Sequence, residues 1–341
     1  MRLTAVTKFA LLSCSFALGL LIWDISAQAQ SGTPVKVAYQ EVIRSLFYAP
    51  SYVAIGKGFF REEGLDVDLT TAQGSDKATA ALLAGIADII LGGPETAIYI
   101  RNGQSPMKTK IFCALTATDG SYLVGRQKVA DFDWSTLKGK QVMSWRKGSA
   151  PALFLEQALR NKGLDPDTDV SVNNNTAIAA RLGAFMAGQA EFGTFFEPDV
   201  SRLEREGKGY ALANIGAQVG QIDYTVFMAA DSFISKNPKA VQGWTNAIHK
   251  ARRWLETADP AEAAKVLSPY FPGIPDEILA ATVVRHREGK LWKATPLVEP
   301  QNIAALQDLL VAGGLLKETE RAKYEEVVAP QFASTALAAA N

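Results

Sequence analysis

Glu95, Glu197, Asp76 and Asp223, with Ser45, Ser75, Thr96, Ser149, Asn175 and Thr176, are polar residues beside predicted strand ends or helix starts. Carboxylates so placed accept N–H donors and oppose anions. Hydroxyl and amide groups there either cap a helix or hydrogen-bond a ligand. Tyr48 and Tyr122, with Trp145 and Phe196, offer aromatic faces that can sandwich a flat molecule or simply fill a core. Gly74, Gly93 and Pro94 share these turns, Pro94 being suited to a first helical turn. Other chemistries are excluded by what is scarce. Two histidines, His249 and His286, cannot build a multi-histidine metal site, and two cysteines, Cys14 and Cys113, exclude a disulfide framework or a CxxC zinc site. His249 shares a helix with Trp244 and Leu255, and His286 lies in Arg285-His286-Arg287, so both read as packing or surface residues. No cofactor is expected.

Composition narrows the field further. The 341 residues are 48% hydrophobic and 21% charged, with 35 basic against 35 acidic residues and no basic run. A nucleic-acid partner is not expected. At ~100–200 residues per domain, the length suggests two domains. Arg2, Lys8 and the apolar run Phe9–Trp23, followed by Ala27-Gln28-Ala29, have the parts of a secretory signal peptide, with Gln30 as the new N-terminus. Fifteen apolar residues fall short of the ~20 that span a bilayer, so no stable membrane insertion is expected after cleavage. The alternative, a lipoprotein signal ending Leu11-Leu12-Ser13-Cys14, fits less well because the apolar run continues past the cysteine. Either way the protein is expected to be exported, with a mature chain of 33 basic and 34 acidic residues, net −1.

The elements that must position the polar residues alternate. Strands are predicted at Val35–Tyr39, Leu65–Leu69 and Ala87–Leu91, with helices at Tyr48–Phe60, Lys77–Ala84 and Glu95–Asn102. The pattern restarts with strands Lys140–Trp145, Asp169–Val172 and Ala190–Phe196 and helices Pro151–Asn161 and Thr176–Ala187. This alternation implies parallel pairing through helical crossovers. After a strand at Asp223–Ala229, four helices follow at Lys239–Thr257, Pro260–Leu267, Pro275–Arg287 and Glu299–Ala312. They must pack back on an α/β unit, which makes that unit discontinuous, with crossings near Thr118–Gly125 and Gly216–Tyr224. Cys113, in an apolar stretch, reads as an unreactive buried strand residue. The Ala-rich end, Ser334–Asn341, is expected to be unstructured.

Three segments carry a resemblance. Tyr52–Val67, with Gly56-Lys57-Gly58-Phe59-Phe60 at its centre, resembles the opening motif of periplasmic solute-binding proteins of nitrate, sulfonate and taurine ABC importers. Ala81–Ile89 resembles that family's second signature, and Phe195-Phe196-Glu197-Pro198 a third. Thiamine-pyrimidine-precursor binders and the yeast-type enzymes that make that pyrimidine belong to the same superfamily. The resemblance implies an α/β, two-lobed type II periplasmic-binding fold, with two mixed sheets flanked by helices and joined by two hinge crossings. Residues 1–29 are then the signal peptide, 30–120 with 222–333 the first lobe, 121–221 the second, and 334–341 a flexible tail. It further implies a periplasmic monomer that captures a small organic solute, sulfonate- or aminopyrimidine-like, and delivers it to an ABC permease with its ATPase subunit. An enzyme of the same fold acting on a pyrimidine precursor is the alternative, although the cysteine-rich motif of the yeast-type synthases is absent. The motifs also read structurally: Gly58 and Gly64 end helical turns, Phe59, Phe60 and Leu65 pack on a sheet, and Asp88 caps a strand end.

Ligands of open parallel sheets sit beyond the carboxyl ends of strands, where helix N-termini point. Ser75, Ser149 and Asn175 or Thr176 are candidate N-caps there. Two carboxylates, Glu95 and Glu197, bear on ligand charge. One ionised carboxylate ~4 Å from a ligand charge is worth ~4 kcal/mol at an effective dielectric of 20. If both face the cleft, a bare anion is disfavoured and a solute with N–H donors is favoured; if Glu95 only serves its helix and Glu197 pairs with a base such as Arg202, they say nothing about the ligand.

Overall fold

Apolar residues alternate along Val35–Glu41 (β1), and the strand lies parallel to Leu65–Thr71 (β2), Val35 opposite Leu65 and Glu41 opposite Thr71. On its other edge β1 pairs in parallel with Ile89–Gly92 (β3). In this computed structural model, which describes residues 33–340, the first sheet is completed by Thr109–Thr116 (β4) and Thr225–Ala230 (β10), in the order β2-β1-β3-β10-β4. The expected signal peptide and Cys14 lie outside the described residues. A second five-stranded sheet holds Tyr122–Gly125 (β5), Gln141–Met143 (β6), Ser171–Asn173 (β7), Phe192–Phe195 (β8) and Tyr210–Asn214 (β9), ordered β7-β6-β8-β5-β9. Both sheets are mixed. β10 runs antiparallel to β3 and β4, and β5 antiparallel to β8 and β9.

The chain passes between the sheets twice, through residues 117–121 after β4 and residues 215–224 after β9. Each passage delivers the antiparallel strand of the sheet it enters. The passages touch: Thr118 Oγ1 donates to Gly220 O at 2.6 Å, and a Cβ on Gly216 would overlap the Asp119 carbonyl.

Helices cover the sheets because their apolar faces demand it. Pro238–Thr257 places Trp244, Ala247, Ile248, Ala251 and Leu255 on its buried face. Trp244 meets Tyr39, Phe60 and Phe227 at centroid distances of 5.0, 4.4 and 5.4 Å, so the Phe59-Phe60 motif is core. Burying one such aromatic contributes ~1.5–3 kcal/mol. Gly58 and Gly64 hold φ of 76° and 73°, and the first splits the expected helix Tyr48–Phe60 into Ala49–Gly56 and Phe59–Glu62. Asp88 accepts from the Ala38 amide at 2.9 Å, the strand-end role expected of it, and Cys113 is buried in β4.

Two expectations are corrected. Ser334–Asn341 is not an unstructured tail as far as it is described: Gln331–Ala340 is a helix that buries Phe332, Ala333 and Ala336, with Phe332 edge-on to Phe112. Its alanines fit a shallow apolar surface. The helix expected from Thr176 begins only with a 3-10 turn at Ile178–Ala180 and an α-helix at Arg181–Met186. Local bonds win there, because Asn175 N donates to Asn173 Oδ1 and the Asn174 side-chain amide donates to Trp145 O. Among the described residues, no helix is long and apolar enough to cross a membrane.

Candidate functional site

The carboxyl ends of β1, β3 and β6 face one another across the gap between the sheets, and a narrow cavity lies there. From the first sheet's side, Val42, Ile43, Phe47 and Tyr48 follow β1, Ser75 opens the helix Ser75–Leu83, Gly92 ends β3, and Gly93 and Glu95 follow it. Trp145, Arg146, Ser149 and Ala150 close it from the second sheet, with Ile178 and Phe196. Tyr224 at the end of the second passage and Thr225 at the start of β10 complete the wall.

Five aromatic side chains, Phe47, Tyr48, Trp145, Phe196 and Tyr224, stand on its walls. Phe47 stacks on Phe196 across the gap with centroids 4.6 Å apart and planes at 13°. Trp145 lies 5.0 Å from Phe196, and Tyr48 4.0 Å from Phe47. Trp145 is held from behind by Arg181, whose guanidinium lies 4.3 Å over its ring. Arg181 is almost fully buried and donates to the carbonyls of Met143, Ser144 and Thr194, tying the ends of β6 and β8 together. Burial lowers its pKa to about 9, so it stays a cation at neutral pH. The indole N–H of Trp145 is buried without a partner.

Glu95 is the one acid on this wall. It begins the helix Glu95–Asn102, next to Pro94, where a negative charge meets the positive end of the helix dipole. Its side chain folds back over Gly93, and only glycine leaves that space: a Cβ at position 93 would overlap both carboxylate oxygens. Oε1 accepts from Ala150 N, the first residue of the facing helix Ala150–Asn161, at 3.0 Å, while Oε2 is buried with no partner. Burial raises the carboxyl pKa to about 7, opposed by the hydrogen bonds it accepts from backbone amides. The site therefore holds an acid that changes charge near neutral pH inside an apolar box.

Other bonds also span the gap. Tyr99 donates to Gly148 O at 2.9 Å, and Arg146 pairs with Asp76. Further along the junction, Ser45 Oγ donates to Glu197 O at 2.7 Å, and Arg285 pairs with the Glu197 carboxylate.

Of the residues singled out from sequence, Tyr48, Ser75, Gly93, Glu95 and Ser149 lie on the cavity wall. Asp76 and Thr96 lie on an adjoining groove, and Gly74 and Pro94 stand in the turns beside it. Six residues are placed elsewhere. Ser45 and Glu197 bond to each other, and Glu197 is occupied by Arg285 and by Ser201 N, not by the expected Arg202, which pairs with Glu206. Tyr122 carries the Arg285 guanidinium 5.8 Å above its ring. Asn175 is exposed, and neither it nor Thr176 reaches the cavity. Asp223 pairs with Lys293, which also holds Glu299. That cluster borders a larger, more open cavity, but its charges largely answer one another. The candidate N-caps do not cap: Gly74 precedes the helix at Ser75, and Ser149 Oγ donates to Arg146 O at 2.7 Å. Arg146 and Arg181 escaped notice; Arg181 sits between Ile178 and Phe185 on the same helical face, a cation amid apolar spacing. Neither histidine lies on the aromatic cavity; His286 is buried and uncharged, its pKa lowered to about 3. Among the described residues, no group of three His, Cys, Asp or Glu is placed to hold a metal.

Residues 47–263 match the family model described as NMT1/THI5 like. YtlA of Bacillus subtilis (strain 168), provisionally named a binding protein, is 36% identical over 296 residues, 87% of this chain and 89% of that one. A 4-amino-5-hydroxymethyl-2-methylpyrimidine phosphate synthase of Candida albicans (strain WO-1) is 25% identical over 231 residues, 64% of this chain and 66% of its own. The periplasmic nitrate-binding protein NrtA from Synechocystis PCC 6803 superposes with a TM-score of 0.76 at 17% identity, covering 90% of this chain and 89% of that one. At that identity the likeness is one of fold.

Proposed function

The chain belongs to the NMT1/THI5-like family, and from that premise we propose that it is a non-catalytic, exported solute-binding protein of an ABC importer. It captures a small organic solute carrying N–H donors between its two sheets and delivers it to a membrane permease with an ATPase subunit. Export to the periplasm rests on the leader-like residues 1–29. The two sheets with their helices are the two lobes, and the passages at 117–121 and 215–224 are the hinge.

The observation that carries this reading is Glu95, buried at the wall of an aromatic cavity with one carboxylate oxygen unpartnered. A buried unpaired acceptor costs ~1–3 kcal/mol, and a ligand N–H removes that penalty. Flat aromatic walls complement a ring, so aminopyrimidine-like solutes fit best and amino-sulfonates next. A bare anion such as nitrate meets the Glu95 charge, and the one cation on the wall, Arg146, is already paired with Asp76.

The alternative, an enzyme acting on a pyrimidine precursor, draws on the similarity to the Candida albicans synthase. It lacks a histidine or cysteine on the cavity wall. Titrating the purified protein with aminopyrimidines and taurine separates the two. Saturable binding with unchanged solute recovered afterwards, and compaction in small-angle scattering, fits a clamp. Chemical conversion of the bound solute would establish the enzyme.

A further inference from the structure

Both passages between the sheets hold buried polar groups that go unanswered. Asp119 in the first is wholly buried. Its Oδ1 accepts from Ser121 N at 2.7 Å, while its Oδ2 has no hydrogen-bond partner among the described residues. Tyr224 ends the second passage, also buried, and its hydroxyl is likewise unpartnered. The two groups lie near each other: burial, and after it the Asp119 charge, holds the Tyr224 hydroxyl well above its ordinary pKa.

The two residues are anchored to different sheets. Asp119 goes with the second, because Ser121 O accepts from Ile215 N at 3.0 Å, just beyond β9, and Tyr122 then opens β5. Tyr224 goes with the first, its amide donating to Thr116 O at 3.1 Å while the Thr116 and Thr225 hydroxyls bond at 2.6 Å. Between them the Thr118 hydroxyl meets Gly220, whose φ of 108° favours glycine. Bonds from Glu95, Tyr99 and Ser45 bridge the gap between the sheets, so this arrangement is the closed one.

We propose that the Tyr224 hydroxyl and the Asp119 carboxyl form a hinge bond, unmade in the closed arrangement and made when the sheets swing apart, which holds the clamp open until solute closes it. This rests on the proposed binding function and deepens it by naming what regulates the site. Two buried groups that lie together unbonded in one arrangement favour an arrangement that bonds them. Either protonation state serves, since a carboxylate accepts from the hydroxyl and a carboxylic acid donates to it. Rotation between the passages carries Asp119 with one sheet and Tyr224 with the other, so the hinge angle sets their spacing. Tyr224 also stands on the cavity wall, its ring 4.9 Å from that of Phe154. One side chain thus links hinge and cavity. Apparent affinity is reduced by the fraction of molecules that the bond holds open.

Tyr224→Phe removes the hydroxyl and keeps the ring. Small-angle scattering of the full chain with no solute added is expected to show this variant more compact than wild type. Calorimetric titration with 4-aminopyrimidine and taurine is expected to show at least threefold tighter binding of whichever solute wild type binds. Asp119→Ala should compact the free protein as far, and the double variant no further than either single change, since all three remove one bond. A hydroxyl that only contacts solute would weaken binding in Tyr224→Phe and leave the scattering of the free protein unchanged. That result, or additive compaction in the double variant, overturns the hinge bond and leaves the binding function standing. No saturable binding of either solute by wild type overturns both.

Discussion

Glu95 Oε1 accepts a hydrogen bond from Ala150 N at 3.0 Å across the gap between the two sheets, while Glu95 Oε2 has no hydrogen-bond partner. One oxygen thus joins a helix start on one side to a helix start on the other, and its twin stays available. On the proposed function, closure and recognition converge on this one carboxyl group.

The first prediction concerns pH. The folded pKa of Glu95 is raised from 4.5 to about 7, so the folded state holds its proton more tightly than the unfolded chain. Stability from this group is complete below pH 4.5 and is lost as pH rises through 7, by ~3 kcal/mol. Asp119, raised to about 7 by burial in the first passage, adds a loss of the same sign. Urea unfolding of the ligand-free protein should therefore show stability falling from pH 5 to pH 8. Glu95→Gln should flatten that fall while leaving the Asp119 share. A wild-type curve level over this range would contradict the assignment.

The second concerns Gly93. Alanine there drives a methyl group into the space of the Glu95 carboxylate without a left-handed backbone penalty, since the φ of Gly93 is not positive. Glu95 must turn away, breaking its bond to Ala150. Gly93→Ala should lose at least tenfold in solute affinity while melting within a few degrees of wild type. Retained affinity would show that Glu95 does not need its folded-back position.

The third separates closure from contact. Glu197 sits outside the cavity wall, bonded through its carbonyl to Ser45 and through its carboxylate to Arg285. Arg285→Gln leaves a buried acid, 1% exposed, without its cation. Small-angle scattering of this variant should show less compaction with solute, and faster solute release should accompany it. Full compaction would mean that the pair does not latch the two halves.

The fourth tests the support behind Trp145. Arg181→Gln deprives the carbonyls of Met143, Ser144 and Thr194 of a shared donor, a loss of roughly 3 kcal/mol for a buried, multiply bonded cation. The melting temperature should fall and Trp145 emission should shift to the red as its ring loosens. An unchanged spectrum would disconnect Arg181 from the aromatic wall.

Much of the frame is legible in the sequence, because period-2 and period-3.6 patterns announce buried faces. Glu95–Asn102 and Pro260–Leu267 begin and end where the pattern places them. β5 and β9 carry no such announcement: one is four residues long, and the other is only partly buried along its length. Their antiparallel direction depends on the two passages, which local sequence does not encode. Glu95 was legible because Gly92-Gly93-Pro94 marks a strand-to-helix turn. Glu197 stands at a similar strand end, yet its partner Arg285 lies 88 positions away. No local spacing reveals such a pair. Arg181 was missed for a related reason, since its acceptors are backbone carbonyls, which every sequence has.

Calorimetric titration of wild type and Glu95→Gln with 4-aminopyrimidine and nitrate, at pH 8, tests the donor-accepting cavity most directly. Wild type should bind the ring amine saturably and nitrate weakly, and Glu95→Gln should lose the ring amine tenfold or more, ~1.4 kcal/mol. Tight nitrate binding that is undiminished or improved in Glu95→Gln would contradict it and make the cavity a simple anion site.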